Sequence, residues 1–135
     1  MHPHYPQVSA RARHACEYCR APEVMFNMAF EIEHVTPQAR GGATTSGNLA
    51  LACRSCNLYK SAHVTAIDER TGREMPLFNP RRNKWRTHFR VVEESGEIEG
   101  LTPRGRATVS RLRINSKKQV EARREWLRLG LMSPN

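Results

Sequence analysis

Three things are scarce in this chain of 135 residues, and each scarcity excludes something. No stretch approaches the roughly 18 consecutive apolar residues of a membrane-spanning helix, so no membrane partner is expected. The opening "MHPHYPQVSA" lacks the charged-then-apolar order of a secretory signal, and a cytoplasmic location is expected. Acidic residues are also few: 13 Asp and Glu stand against 22 Lys and Arg, a formal charge of +9. Clustered Lys and Arg bind phosphate chiefly by releasing its counterions, so a polyanion is the expected partner and nucleic acid the leading candidate. Apolar residues make up 39% of the chain, a modest share for burying a full core, so a staple would help.

The four cysteines, Cys16, Cys19, Cys53 and Cys56, supply one. They form two C-x-x-C knuckles, "CEYC" and "CRSC", the only internal repeat. In a reducing compartment such thiols stay reduced, so metal binding is expected in place of disulfides. Two cysteines three apart point at one ion because the turn between them curls round it, and four thiolates complete a tetrahedral Zn²⁺ site. The interval between the knuckles is 33 residues, longer than in a compact zinc ribbon, so the metal pins the ends of a larger module. Four thiolates and one Zn²⁺ add a net −2, which lowers the effective charge to about +7. The basic surplus lies mainly in residues 61–135, which hold 16 Lys and Arg against 9 Asp and Glu.

Residues 1–12 read as a flexible arm without periodicity. A strand is expected through "MFNMAF" and ending in "EIEH", then an irregular loop from Val35 to Gly47, a second strand at "NLALA" and a helix from about Arg54 to Ala62. Beyond it, Thr71-Gly72 and Ser95-Gly96 mark two hairpins, while Pro76 and Pro80 argue against helix between them. Thr102 and Pro103 read as the N-cap and first residue of a helix carrying Val109 and Leu112 on one face. A last helix ends near Gly130 and aligns Val120, Leu127 and either Arg123 or Arg124.

Along the first strand Phe30 and Ile32 alternate with Glu31 and Glu33, so one face is apolar and the other carries two carboxylates. His34 follows at once, Asn48 after 13 intervening residues and Asn57 after 22. Together with the knuckles and "CNLYK" from Cys56 to Lys60, these residues resemble the HNH nucleases over residues 16 to about 62. The resemblance implies an α+β chain: a ββα-metal (His-Me finger) core with a four-cysteine zinc site, then a basic extension of strands or hairpins and two C-terminal helices. The domain plan is a flexible arm at 1–12, the nuclease core at 13–63 and the basic extension packed on it at 64–135. Segments of the tail ("PLFNPR", "W..HF", "GLTP.GRATV") look like those of small stand-alone bacterial HNH proteins.

The same resemblance implies the roles. His34 would be the general base, an imidazole being largely unprotonated at neutral pH yet basic enough to take a proton from water. Glu33 and Asn57 would hold one catalytic Mg²⁺ or Mn²⁺ through hard oxygen ligands, and Asn48 would buttress the loop that carries His34. Asn57 stands where the family name has its last histidine, and asparagine there also occurs among active members. The activity implied is one-metal hydrolysis of DNA phosphodiester bonds, with double-stranded DNA as partner. The rivals are a zinc-stapled nucleic-acid-binding module without catalysis and a nuclease subunit active only with a partner; a homodimer is left open.

Lys60 and Arg40 are the candidate nucleic-acid contacts, though Lys60 serves equally well to complement the helix C-terminus. Glu31 is set aside as a surface ion pair or an aid to the metal shell. His14 is close to Cys16, but four cysteines already fill a tetrahedral site. Trp85 and Phe89, among basic residues, fill a small core or else stack on bases.

Overall fold

In the computed structural model, which describes all 135 residues, strand β1 is only Glu31–His34. It pairs antiparallel with β2, Leu49–Ala52, with Glu31 opposite Ala52 and His34 opposite Leu49. The apolar run before β1, expected to belong to the strand, is a loop with a 3-10 turn at Glu23–Met25 and exposes Val24, Met25, Phe26 and Met28. It lacks a partner. The register ends at Ala52 because Cys53 already caps the next helix, so residues before Glu31 have no strand to pair with. The Phe30 N–H is satisfied instead by the Glu23 carboxylate at 2.7 Å.

Helix α1, Tyr5–Arg11, occupies the segment expected to be a flexible arm. Its apolar residues are Tyr5, Val8 and, just past its end, Ala12, a helical spacing too brief to stand out in the sequence. Val8 is fully buried, and Pro6 sits in the first turn where its missing N–H costs nothing. From the end of α1 the Arg11 guanidinium donates to the Leu49 and Ser46 carbonyls at 2.7 and 3.0 Å, fastening the N-terminal segment to the start of β2.

Helix α2, Arg54–Lys60, follows β2 directly. It is shorter than expected, since Ser61 takes a left-handed φ of 49°. Both hairpins form where their turns were expected: β3, Thr65–Asp68, with β4, Arg73–Pro76, and β5, Phe89–Val92, with β6, Glu97–Gly100. Each sheet is two-stranded, so each needs another element to cover it. Helix α3, Trp85–His88, is a single turn that was not expected, placed just beyond the two prolines. Helix α4, Pro103–Arg111, starts with Thr102 Oγ1 accepting from the Gly105 N–H at 3.0 Å. It lies across β3, β4 and β6. Gly105 permits that approach, because a Cβ there would sit 2.1 Å from the His88 carbonyl oxygen.

Helix α5, Lys117–Arg128, resolves the choice in its stripe in favour of Arg123, which is buried and donates to the carbonyls of Gly96 and Ile114 at 2.7 and 2.8 Å. No helix is long and apolar enough to cross a membrane.

A single apolar cluster runs from the first half into the second, joining Leu49 and Leu51 to Phe78, Phe89, Ile98 and Leu112. Trp85 and Phe89 belong to it, with ring centroids 5.1 Å apart, and are not offered to bases. The Trp85 indole N–H donates to the carbonyl of Tyr18, inside the first knuckle, at 2.8 Å. An ion pair between Arg81 and Glu17 adds a second tie across the same boundary.

Asp68, at the end of β3, accepts from the Arg106 guanidinium at 2.9 and 3.0 Å and from the Thr71 hydroxyl at 2.8 Å. The Arg106 fork, followed by the Thr71 and Arg70 donors, holds this carboxyl well below the usual carboxylate range. A depressed acid favours the fold above its unfolded pKa, about 4, and loses that contribution as pH falls below it. The unfolding temperature of Asp68→Asn should therefore lie below wild type at pH 6, with the gap narrowing as both are titrated from about pH 4 towards 2. A gap that stays constant would contradict the pairing.

Candidate active site and metal centre

The four cysteine sulfurs lie within 4.8 Å of one another, and all four residues are buried. Cys19 Sγ and Cys53 Sγ are 3.7 Å apart, far beyond the roughly 2.05 Å of a disulfide. Tetrahedral Zn²⁺ with Zn–S bonds of about 2.3 Å requires sulfurs about 3.8 Å apart, so donor set and spacing both fit structural zinc. The backbone contributes too: Cys53 Sγ accepts from the Cys56 N–H at 3.4 Å, a bond that stabilises a thiolate at the head of α2. Crowding splits the thiol acidities. Hydrogen bonds from Cys16, then Cys53 and Cys56, hold Cys19 well below the usual thiol value, while those to Cys16 and Cys19 push Cys56 well above it. Metal binding removes that conflict by making all four thiolates ligands.

The centre joins residues on either side of the β1–β2 hairpin, and α2 begins at the metal. Glu31 and Glu33 share one face of β1 by alternation; Asn57 and Lys60 are three apart, one turn of α2. Each carboxylate meets one of them. Glu31 Oε1 accepts from the Asn57 side-chain amide at 2.6 Å, and Oε2 from the exposed Arg54 at 3.1 Å. Glu33 Oε2 accepts from Lys60 Nζ at 2.7 Å, and Oε1 from the Tyr18 hydroxyl at 2.5 Å. Glu33 and Lys60 are 4% and 1% exposed.

Glu33 and Asn57, the pair to which the family resemblance assigned the catalytic metal, make no hydrogen bond to each other: Glu33 meets Lys60 and Tyr18, and Asn57 meets Glu31. The Glu33 carboxylate lies inside, with both oxygens occupied. Burial lifts it above the ordinary carboxylate range, against the pull of the Lys60 ammonium. Lys60, expected to meet nucleic acid, has no surface to do so: its remaining donors go to the Val35 and His34 carbonyls at 2.9 and 3.3 Å. Arg40 is exposed at the end of a 3-10 turn, with its Nε donating to the Ala62 carbonyl at 2.8 Å.

His34 ends β1 and opens on a shallow cleft of about 250 Å³, shared with Glu33, Asn57, Gln38 and Ser61. Its Nε2 lies 2.8 Å from Thr44 Oγ1, which also accepts from the Gln38 amide at 3.3 Å. The loop that carries Thr44 is tied back by Asn48. Asn48 Oδ1 accepts from the Thr36 N–H at 2.9 Å, and its amide donates to the carbonyls of Thr36 and Ala43 at 3.0 and 2.8 Å. Gly42 makes this knot closable, because a Cβ there would fall 1.7 Å from the Thr36 carbonyl oxygen.

A two-stranded hairpin, a knotted loop and a short helix on a four-thiol centre define a metal-stapled ββα module. Residues 16–63 match the family model described as HNH endonuclease, and this segment is an HNH domain. Neither the curated proteins nor the solved structures include one that matches the chain.

The residues that sequence reasoning missed are those whose partners are remote. Tyr18 reaches Glu33 across 15 positions, and the "CEYC" knuckle gives no hint of it. Thr44 is one of several hydroxyl residues in its loop. Glu31 did carry a signal, since alternation already placed it on the face of Glu33.

The metal centre has a direct check. Purified protein is expected to carry one Zn²⁺ per chain by elemental analysis. Cys56→Ser should lose the metal and the cooperative unfolding transition together, because structural zinc contributes folding free energy outright. A zinc-free Cys56→Ser protein that unfolds like wild type would exclude a structural role.

Proposed function

We propose that this protein is an endonuclease that hydrolyses phosphodiester bonds in DNA, with His34 as general base. The observation that carries the reading is the placement of His34, an imidazole fixed on one side by Thr44, in a cleft shared with Asn57 within an HNH domain. Nε2–H donates to Thr44, whose oxygen also receives the Gln38 amide, and the lone pair on Nδ1 then takes a proton from the attacking water. That water forms the new bond to phosphorus as the bond to the 3′ oxygen breaks, and the departing 3′ oxygen takes a proton from solvent, giving 5′-phosphate and 3′-hydroxyl ends. Asn48 holds the loop of Thr44 and so fixes the direction of the imidazole.

A divalent cation, Mg²⁺ or Mn²⁺, supplies charge stabilisation for the phosphoryl group when bound. The formal charge of +9 favours a polyanionic substrate, and exposed Arg40, on the loop between His34 and Asn48, is a contact for its backbone. Double-stranded DNA is the substrate assigned.

The test is supercoiled plasmid incubated with the zinc-loaded protein in Mg²⁺ or Mn²⁺. Wild type should convert it to nicked or linear forms and be silent in EDTA. His34→Ala should be slower by roughly 10²-fold or more, the usual contribution of a general base, with zinc content and unfolding temperature unchanged. Cleavage by His34→Ala at the wild-type rate would refute the assignment; plasmid binding without nicking in either metal would point to a pure binding module.

A further inference from the structure

We propose that Arg82 and Arg104, both from the C-terminal half, hold a non-scissile phosphate of the DNA beside the cleft of His34. The proposal rests on the nuclease reading for its ligand, and on a hollow at the seam of the two halves for its residues.

That hollow, of about 200 Å³, has Val35, Thr36 and Lys60 on the HNH side and Arg82, Asn83 and Arg104 on the other. It borders the cleft of His34 at two chain steps, since Thr36 and Lys60 line the hollow while their neighbours Pro37 and Ser61 line the cleft. Thr36 is two residues from His34, at most about 7 Å along the backbone. Successive phosphates of one strand rise about 3.4 Å along a duplex, so a phosphate in the hollow lies only a few nucleotides from the one that is cut.

The chemistry of the hollow selects an anion. None of its 11 lining residues is acidic, and the Lys60 charge is already balanced by Glu33. The arginines that pair with carboxylates are Arg54, Arg81, Arg90, Arg106 and Arg128, which leaves Arg82 and Arg104 unneutralised. A larger cavity in the C-terminal half, about 890 Å³, differs on this point: Asp68, Glu69, Glu97 and Glu99 line it and repel phosphate.

Arg104 is also aimed. Asn83 Oδ1 accepts from the Asn79 N–H and from Arg104 Nη1, both at 2.9 Å, so a neutral acceptor fixes the guanidinium without cancelling its charge. The other N–H groups of Arg104 remain for a phosphate, which arginine binds through parallel donors. The loop is set in advance, because Asn79 accepts from the N–H groups of Arg81, Arg82 and Asn83, and little ordering is left to the moment of binding. Arg104 stands in the first turn of α4, where the helix end is itself positive and no acidic residue compensates. A cation there is unfavourable until an anion joins it.

The experiment measures binding apart from cleavage. Full-length zinc-loaded protein is titrated into fluorescein-labelled duplexes of two unrelated sequences, without added Mg²⁺ or Mn²⁺, and anisotropy is followed over a series of NaCl concentrations. Arg82→Gln and Arg104→Gln should each weaken both duplexes about fivefold, and the double variant should lower the slope of log K against log[NaCl] by about 0.9, the value of one phosphate. Arg90→Gln, which removes an exposed charge already paired with Glu99, should stay within about twofold. In plasmid cleavage Arg82→Gln should raise KM at unchanged kcat. Arg82 is exposed, so Arg82→Gln should unfold at the wild-type temperature and carries the test even if Arg104→Gln, which loses the Asn83 bond, does not fold. Wild-type affinity in Arg82→Gln and in the double variant would overturn the proposal, as would an equal loss in Arg90→Gln or a wild type that binds no duplex. Calorimetry with inorganic phosphate tests the other source of the same chemistry: uptake abolished in the double variant, with duplex affinity intact, would assign the hollow to a free anion and overturn the proposal. Duplex binding that depends on Arg82 and Arg104, without plasmid cleavage in either metal, would sink the nuclease reading and leave the phosphate site standing.

Discussion

Cys19 and Cys53 bracket 33 residues, and of the residues assigned to the cleft His34, Glu33 and Gln38 lie between them. Closing that interval through four sulfurs restricts the chain before any apolar contact is made, which matters where hydrophobic residues are only 39% of the sequence. The hairpin is two-stranded and four residues deep, a unit that is marginal alone. Its stability is borrowed from the metal centre at one side and from α2, which starts on a metal ligand, at the other. The C-terminal half contributes through Trp85 and Arg81, both of which grip the residues of the first knuckle.

Inside this frame sits a polar network that an apolar core would not need. A buried Lys60–Glu33 pair rarely adds net stability over well-packed hydrophobic residues, because removing both ions from water costs as much as their attraction returns. Its value is directional. An ammonium with three fixed acceptors specifies where the end of β1 lies to within a hydrogen bond, whereas a leucine in the same space would tolerate sliding. The same reasoning applies to Asn48, whose three bonds knot a loop that has no strand or helix to define it.

What the sequence made legible was local. Paired cysteines, the two Gly-containing turns, and the Thr102-Pro103 start each depend on residues within a few positions, and each was found where expected. What it concealed was long-range. The beginning of β1 is set by where its partner ends, at Ala52, and no pattern within "MFNMAF" records that. The helical spacing of Tyr5, Val8 and Ala12 is too short to outweigh the prolines and histidines around it. The hydrogen-bond partners of the two carboxylates were hidden for a related reason. Alternation placed Glu31 and Glu33 on one face, but their different depths come from what α2 sets opposite each: an amide for one, an ammonium for the other.

Seven residues of α2 therefore carry three separate duties: a metal ligand at Cys56, a cleft residue at Asn57 and the strand-end clamp at Lys60. Adding or deleting one residue turns everything beyond it by about 100°. A length change here would uncouple metal, cleft and clamp at a stroke, whereas a substitution disturbs only one of them. A change in this helix that keeps all three duties is thus an exchange of side chain at constant length. Its freedom is concentrated at positions such as Leu58, exposed on the outer face and bound to none of the three duties.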